Sequence, residues 1–354
     1  MRRFAAALIA AVLLCACEST DVRTIFVGTY SDGFYAFDFD VNAGDILPAE
    51  GEYGSVAKAA MPNPSFLSIS GNHVYAVSEM PDSSASVWAW RYGGGGFDLL
   101  NRQPSCGADP CYVSASKKEW LAVANYSGGN LAVYRLLPNG HIAPVDTLIN
   151  SSVGGPDLSR QESPHVHCAQ FVHEGKQLLF SEFSADAIGL ADITSAGLRN
   201  YRLAAQLPPD FGPRHLLERD GRLYVIGELS GDIAVYDFYE NGRTQLRQIV
   251  KADAVGARGA ADLHFSPDGR YLYASLRLQN DGIAIFRADD QLVPAGYQTT
   301  GPHPRNFTVL DNWLLVACRD SNQIEIYARD PLTGVLTDTG RRLSVPKPVF
   351  VQVQ

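Results

Sequence analysis

Polar groups interrupt otherwise apolar runs at a few places: two histidines in Pro164-His165-Val166-His167, an arginine and a histidine in Gly212-Pro213-Arg214-His215, a glutamate in Gly227-Glu228-Leu229, and the arginines Arg277 and Arg305. Together these side chains can bind an anionic ligand, move protons and stabilise developing negative charge. A guanidinium places fixed positive charge where an oxyanion develops. An imidazole of near-neutral pKa can accept and return a proton, and a carboxylate orients either group or relays the proton. A further guanidinium grips an anionic substituent through paired hydrogen bonds. Gly-x-Ser-x-Gly is absent, as is a convincing covalent triad, so the chemistry rests on charge and acid-base catalysis.

The elements that must position these groups recur seven times. Apolar runs at 24–29, 74–79, 120–125, 178–182, 223–228, 272–277 and 313–318 each end in a polar or charged residue, at an average spacing of about 48 residues, in the range of propeller blades. Each is followed by a turn such as Ser127-Gly128-Gly129 or Asn280-Asp281-Gly282 and then by a second strand. Before most of them stands a strand that opens at or near a proline, at Pro64, Pro110, Pro164, Pro213 and Pro304; the one at Ala260 keeps the pattern without the proline. The run at Thr24 has no such strand before it, and the strand opening at Pro348 has no run after it. The prediction is an all-β, seven-bladed β-propeller of four-stranded antiparallel blades, closed by the C-terminal strand joining the N-terminal blade, which removes the edges an open array would expose.

In such a ring the first residues of each innermost strand lie beside the last residues of the next, at one mouth of the central channel. That mouth gathers Ser65, Cys111, His165, His167, Arg214, His215 and Arg305 with Thr29, Glu79, Asn125, Glu182, Glu228, Arg277 and Cys318. Any one of these is equally well a solvated rim residue. Three arginines, three histidines and three glutamates converging on a narrow, partly desolvated mouth instead require partners, and a ligand is the economical one. His73, His141 and His173 fall at turns and read as surface residues.

A formal net charge of -9 without a Lys/Arg run argues against nucleic acid. Arg2 and Arg3, the apolar stretch 4–14 and Leu14-Cys15-Ala16-Cys17 read as a lipoprotein-type signal peptide over 1–16, with Cys17 the lipidated residue and 17–23 a short anchor linker to a domain at 24–354. The expectation is an exported protein on the periplasmic side of a bacterial membrane, the outer one by the Glu18 beside the anchor; a plain secretory signal is the alternative. In an exported compartment Cys106 and Cys111, separated by the turn Gly107-Ala108-Asp109-Pro110, are candidates for a disulfide. Cys168 and Cys318 read as buried thiols. No Cys/His cluster has zinc spacing, and nothing suggests a nucleotide, redox or other cofactor.

Val27-Gly28-Thr29-Tyr30, Asn63-Pro64-Ser65-Phe66-Leu67, Ala124-Asn125-Tyr126-Ser127-Gly128-Gly129, Pro164-His165-Val166-His167, Gly212-Pro213-Arg214-His215, Gly227-Glu228-Leu229 and Pro304-Arg305-Asn306-Phe307 together resemble the seven-bladed lactonase propellers, the family of propeller-type 6-phosphogluconolactonase and carboxymuconate lactonizing enzyme. The resemblance implies lactone hydrolysis and an active-site set of His165 or His167, Arg214, Glu228 and Arg277. Arg305, Asn125, Glu79, Glu182 and His215 are expected to contact the substrate, a small lactone or anionic sugar acid. Leu276 and Cys318 stand where the family has Asn, and Glu182-Phe183-Ser184 replaces Asp-Leu-Gly. The reverse, lactonizing (cycloisomerase) direction is left open, and two rival readings stand beside this one. In the first, Glu79, Asn125, Glu182 and Glu228 bind Ca²⁺, against which Arg214 and Arg277 would place like charge; in the second, the propeller is a non-catalytic binding scaffold.

Overall fold

A computed structural model describes residues 21–149 and 153–354; the signal segment, Cys17 and the start of the anchor linker lie outside the described residues. Seven antiparallel sheets follow one another around a ring. Each is built from alternating apolar residues on a half-buried pleat, with Val, Ile, Phe and Tyr facing the neighbouring blades. Blade 5 is representative. Its strands, from the innermost outward, are Pro213–Arg219, Arg222–Gly227, Asp232–Phe238 and Thr244–Lys251.

The ring closes through the chain ends. Pro348–Val353 pairs antiparallel with Val22–Thr29, from Ile25 opposite Val353 to Thr29 opposite Pro348, and becomes the innermost strand of blade 1. The seam is packed as well as hydrogen-bonded: Ile25, Val27 and Val351 share an apolar cluster with Leu315 and Ile324 of blade 7. Burying side chains of that size contributes about 1.5–3 kcal/mol each.

Blade 1 departs from the expected four strands. Its outer position is divided between Asp45–Leu47 and Ala57–Ala60, which pair with successive parts of Gly33–Asp40. Pro48 follows Leu47 directly, and without an N–H it cannot carry the ladder on, so residues 48–56 leave the sheet before pairing resumes.

Candidate active site

Bulges at the start of the innermost strands set the site. In blade 5 the register jumps between Pro213 and Leu216, so the consecutive residues Arg214 and His215 both enter the centre of the ring, where plain alternation would send one to each face. The same shift between Ala260 and Leu263 of blade 6 brings Asp262 beside His215.

Glu228 is the hub of the mouth. It follows the strand Arg222–Gly227, and its N–H donates to the Gly212 carbonyl at 2.8 Å. Arg160 Nη2 donates to its Oε1 at 2.6 Å and Arg277 Nη2 to its Oε2 at 3.0 Å. Arg214 Nε also lies 3.0 Å from Oε2, as an ion contact without hydrogen-bond alignment. Burial alone would raise the Glu228 pKa, but Arg277, Arg214 and Arg160 outweigh it and bring the carboxyl to about 2. At neutral pH it is therefore a fixed anion that holds cations in place. Burial pushes Arg277 down to about 9 against the pull of Glu228, with Arg214 and Arg305 adding to the fall, and the guanidinium stays charged at neutral pH. Gly259 lets this residue seat closely: its carbonyl accepts from Arg277 Nε at 2.9 Å, and a Cβ there would lie 2.6 Å from the Arg277 carbonyl oxygen.

His215 Nδ1 is 2.7 Å from Asp262 Oδ1. A carboxylate only accepts, so Nδ1 carries the proton and Nε2 receives Arg214 Nη1 at 3.2 Å. Burial, then Arg214, lowers the His215 pKa to about 4 in spite of Asp262, so the ring stays neutral and steadies Arg214.

The two other histidines differ in what they offer. His165 is half-buried and stacks on Tyr126 at 4.1 Å between ring centres, with its Nδ1 2.9 Å from the Tyr126 carbonyl. That carbonyl can only accept, which leaves the lone pair on Nε2, near Ser163 Oγ at 3.4 Å. Burial lowers its pKa, the bond to Tyr126 opposes, and Arg160 lowers it further. His167 is buried, its Nδ1 has no partner, and burial followed by Arg214, His215 and Arg305 holds its pKa well below the usual value.

Arg305 Nη2 donates to the Tyr30 hydroxyl at 2.8 Å, and Tyr30 donates to Glu79 Oε1 at 2.8 Å. Among the described residues no carboxylate pairs with Arg305 directly. The mouth thus brings together His165, His167, Arg214, His215, Glu228, Arg277, Arg305 and Glu79. It does not include Asn125 or Glu182. Asn125 Nδ2 donates to the Ser105 carbonyl at 2.9 Å, tying down the link before blade 3. Glu182 accepts from Tyr201 of its own outer strand at 2.6 Å; Gly189 leaves it that space, since a Cβ there would lie 2.6 Å from the carboxylate.

Cys106 and Cys111, the candidates for a bridge, are both free thiols. Cys106 sits in an exposed turn at φ 62°, while Cys111 enters the centre of the ring, 3.4 Å from the His167 carbonyl.

Arg160 was not visible as a site residue in the sequence, because it belongs to the link between blades 3 and 4 and not to the strand repeat. The short helix Leu158–Gln161 carries it, with Asp157 accepting from Ser159 N–H at 3.0 Å as cap and from Arg258 Nη2 at 2.6 Å. Gln161, buried beside it, donates to Asp186 at 2.8 Å. Tyr30 and Tyr126 did carry a signal, each lying within one of the resembling motifs.

Three comparisons place this geometry. A family model described as lactonase, 7-bladed beta-propeller, matches residues 24–353. A 6-phosphogluconolactonase of Formosa agariphila is 31% identical over 349 residues, covering 91% of this chain and 96% of that protein. A Bacteroides uniformis crystal structure that bears the 6-phosphogluconolactonase name superposes with a TM-score of 0.88 at 42% identity, covering 94% of this chain and all (100%) of the other. The periplasmic gluconolactonase of Pseudomonas aeruginosa superposes with a TM-score of 0.86 at 26% identity, covering 94% and 99%. With nearly its whole length matched, the chain belongs to the seven-bladed β-propeller lactonase family and with it to the lactone-opening ester hydrolases.

Proposed function

We propose that the protein opens an anionic lactone of a sugar or organic acid at the mouth built around Glu228. The observation that carries this reading is the arrangement of charge: Arg160, Arg214 and Arg277 converge on one carboxylate, while Arg305 is left without an anionic partner of its own. Four guanidiniums against Glu228 and Glu79 leave the mouth positive, which suits a phosphate or carboxylate on the substrate.

In this reading His165 Nε2 removes a proton from water as the water oxygen bonds to the lactone carbonyl carbon. The carbonyl electrons move onto oxygen, and the resulting oxyanion is held by Arg214 and Arg277, which Glu228 and His215 keep in line, with Arg160 adding positive charge. Collapse breaks the ring C–O bond, and the imidazolium of His165 returns the proton to the departing ring oxygen. The product is the open hydroxy acid. Arg305 anchors the anionic substituent. His165 is favoured over His167 because its side chain is only half-buried, with the Nε2 lone pair turned to Ser163, whereas His167 is buried.

A calcium-dependent variant would need Glu79, Asn125, Glu182 and Glu228 to converge. Asn125 and Glu182 are turned to Ser105 and Tyr201, and three guanidiniums occupy Glu228. An exported setting agrees with the signal-like N-terminus and with the periplasmic relative. The test is lactone hydrolysis followed by acid release, on phosphorylated and neutral sugar lactones, with and without chelator. Chelator-insensitive turnover, with Arg305→Ala raising KM for the phosphorylated lactone more than for the neutral one, supports the reading; chelator-sensitive turnover or none sinks it.

A further inference from the structure

Beneath Arg305 and Arg214 lies a space of about 10 Å³, lined among others by Ser65, Glu79 and Asn306, at the lower limit for one water oxygen. Two oxygen atoms on its wall have no hydrogen-bond partner among the described residues. Ser65 is 4% exposed and its Oγ makes no hydrogen bond; Glu79 Oε2 is likewise buried and unpaired, although Oε1 is held by Tyr30. Buried groups of this kind are otherwise nearly always satisfied. Among the described residues, Arg305 uses only its Nη2, on Tyr30.

The backbone holds this wall rigidly. Asn63, at φ 44°, receives the Glu79 N–H on its carbonyl at 3.0 Å and gives its own N–H to Ser31 at 2.7 Å. Thr29 N–H donates to the Pro64 carbonyl at 2.9 Å, and Gly28 permits that approach, since a Cβ there would sit 2.6 Å from the same oxygen. Tyr30 is thereby set between Glu79 and Arg305. Its single proton goes to the carboxylate and its lone pair receives the guanidinium, so the two charges are linked without collapsing onto each other.

We propose that Ser65, Glu79 and Arg305 form a hydroxyl-reading subsite, occupied by one water in the free enzyme and by a substrate hydroxyl in the complex. The hydroxyl oxygen accepts from Arg305, and its proton goes to Glu79 Oε2, with Ser65 Oγ completing the shell. An acceptor such as a ketone oxygen placed between Arg305 and Glu79 would meet the carboxylate unfavourably, and a methylene would leave Glu79 and Ser65 unpaired, while the outward face of the Arg305 guanidinium stays open to the anionic substituent. The subsite therefore selects a lactone that carries a ring or side-chain hydroxyl. This deepens the lactone-opening reading and rests on it for the kinetic arm alone.

Glu79→Gln keeps an oxygen for Tyr30 but presents an amide N–H₂ where an acceptor is needed. It should lower kcat/KM for D-glucono-δ-lactone by about ten- to a hundredfold, the range for a lost hydrogen bond to a charged group, and leave δ-valerolactone nearly unchanged. Ser65→Ala should act in the same direction and more weakly. Calorimetry with D-gluconate provides an arm that needs no turnover, with binding weakened by Glu79→Gln. Equal losses on the two lactones, or gluconate binding indifferent to Glu79, would overturn the subsite while leaving hydrolysis intact. Glu79-dependent gluconate binding by a protein that opens neither lactone would keep the subsite and remove the lactonase reading.

Discussion

Replacing Glu228 with Gln removes one buried negative charge from among three guanidiniums, and the structure sets the size of the effect. The carboxyl has an ordinary value of 4.5 and stands at about 2 in the fold, because Arg277, Arg214 and Arg160 outweigh the effect of burial. That difference corresponds to about 3 kcal/mol of stability at neutral pH, which agrees with the roughly 3–5 kcal/mol expected when one member of a buried ion pair is deleted. The direction follows from the sign of the shift. A carboxyl depressed in the fold contributes its full stability above pH 4.5 and loses it as the pH falls toward 2. Urea unfolding of the wild type and of Glu228→Gln at pH 7 should therefore differ by about 3 kcal/mol, and the gap should narrow progressively below pH 4.5. Activity should fall by a hundredfold or more in the same variant, because Arg214 and Arg277 lose the group that aims them. Equal stability at pH 7, a gap that persists to pH 2, or near-normal turnover would each refute the view of Glu228 as the fixed anion of the site.

Other expectations follow from separate parts of the molecule. Removing residues 346–354 takes away the innermost strand of blade 1 and its seam with blade 7, so thermal unfolding should move well down; an unchanged transition would contradict closure by this strand. His165→Ala should cost about a hundred- to ten-thousandfold in kcat, and the wild-type kcat/KM should decline with acidification through a value below 6.5; a retained acid limb in the variant would assign the base elsewhere. Cys17→Ser should release the protein from membranes or block its processing, as checked by metabolic acyl labelling, since about 0.8 kcal/mol per buried methylene makes several acyl chains a firm anchor. Labelling that persists in Cys17→Ser would overturn that assignment.

The strand repeat was legible because every blade must present apolar residues to both neighbours, and that requirement recurs at a regular spacing. The C-terminal closure was legible for a related reason, as Pro348 opens an inner strand with nothing after it. The split edge of blade 1 was harder to read, because outer strands such as Thr244–Lys251 are largely exposed and carry little apolar pattern. At the mouth, strand position alone placed Glu228 and Arg277 but could not separate them from Glu182 and Asn125. Those two are diverted by local partners, the room beside Gly189 and the Ser105 carbonyl, neither of which has a periodic signature. Arg160 was hidden for the opposite reason. It reaches the site from a link whose conformation depends on buried Gln161 and Asp186 and on the Asp157–Arg258 contact, all distant in sequence from Glu228.

The central claim is that guanidinium charge held by Glu228 stabilises the oxyanion of lactone opening. Arg214→Ala tests it most directly, in protein shown to be folded by its circular dichroism and unfolding transition. The expected result is a loss of at least about a hundredfold in kcat on a lactone that the wild type opens, with little change in KM. Turnover that survives Arg214→Ala intact would contradict it.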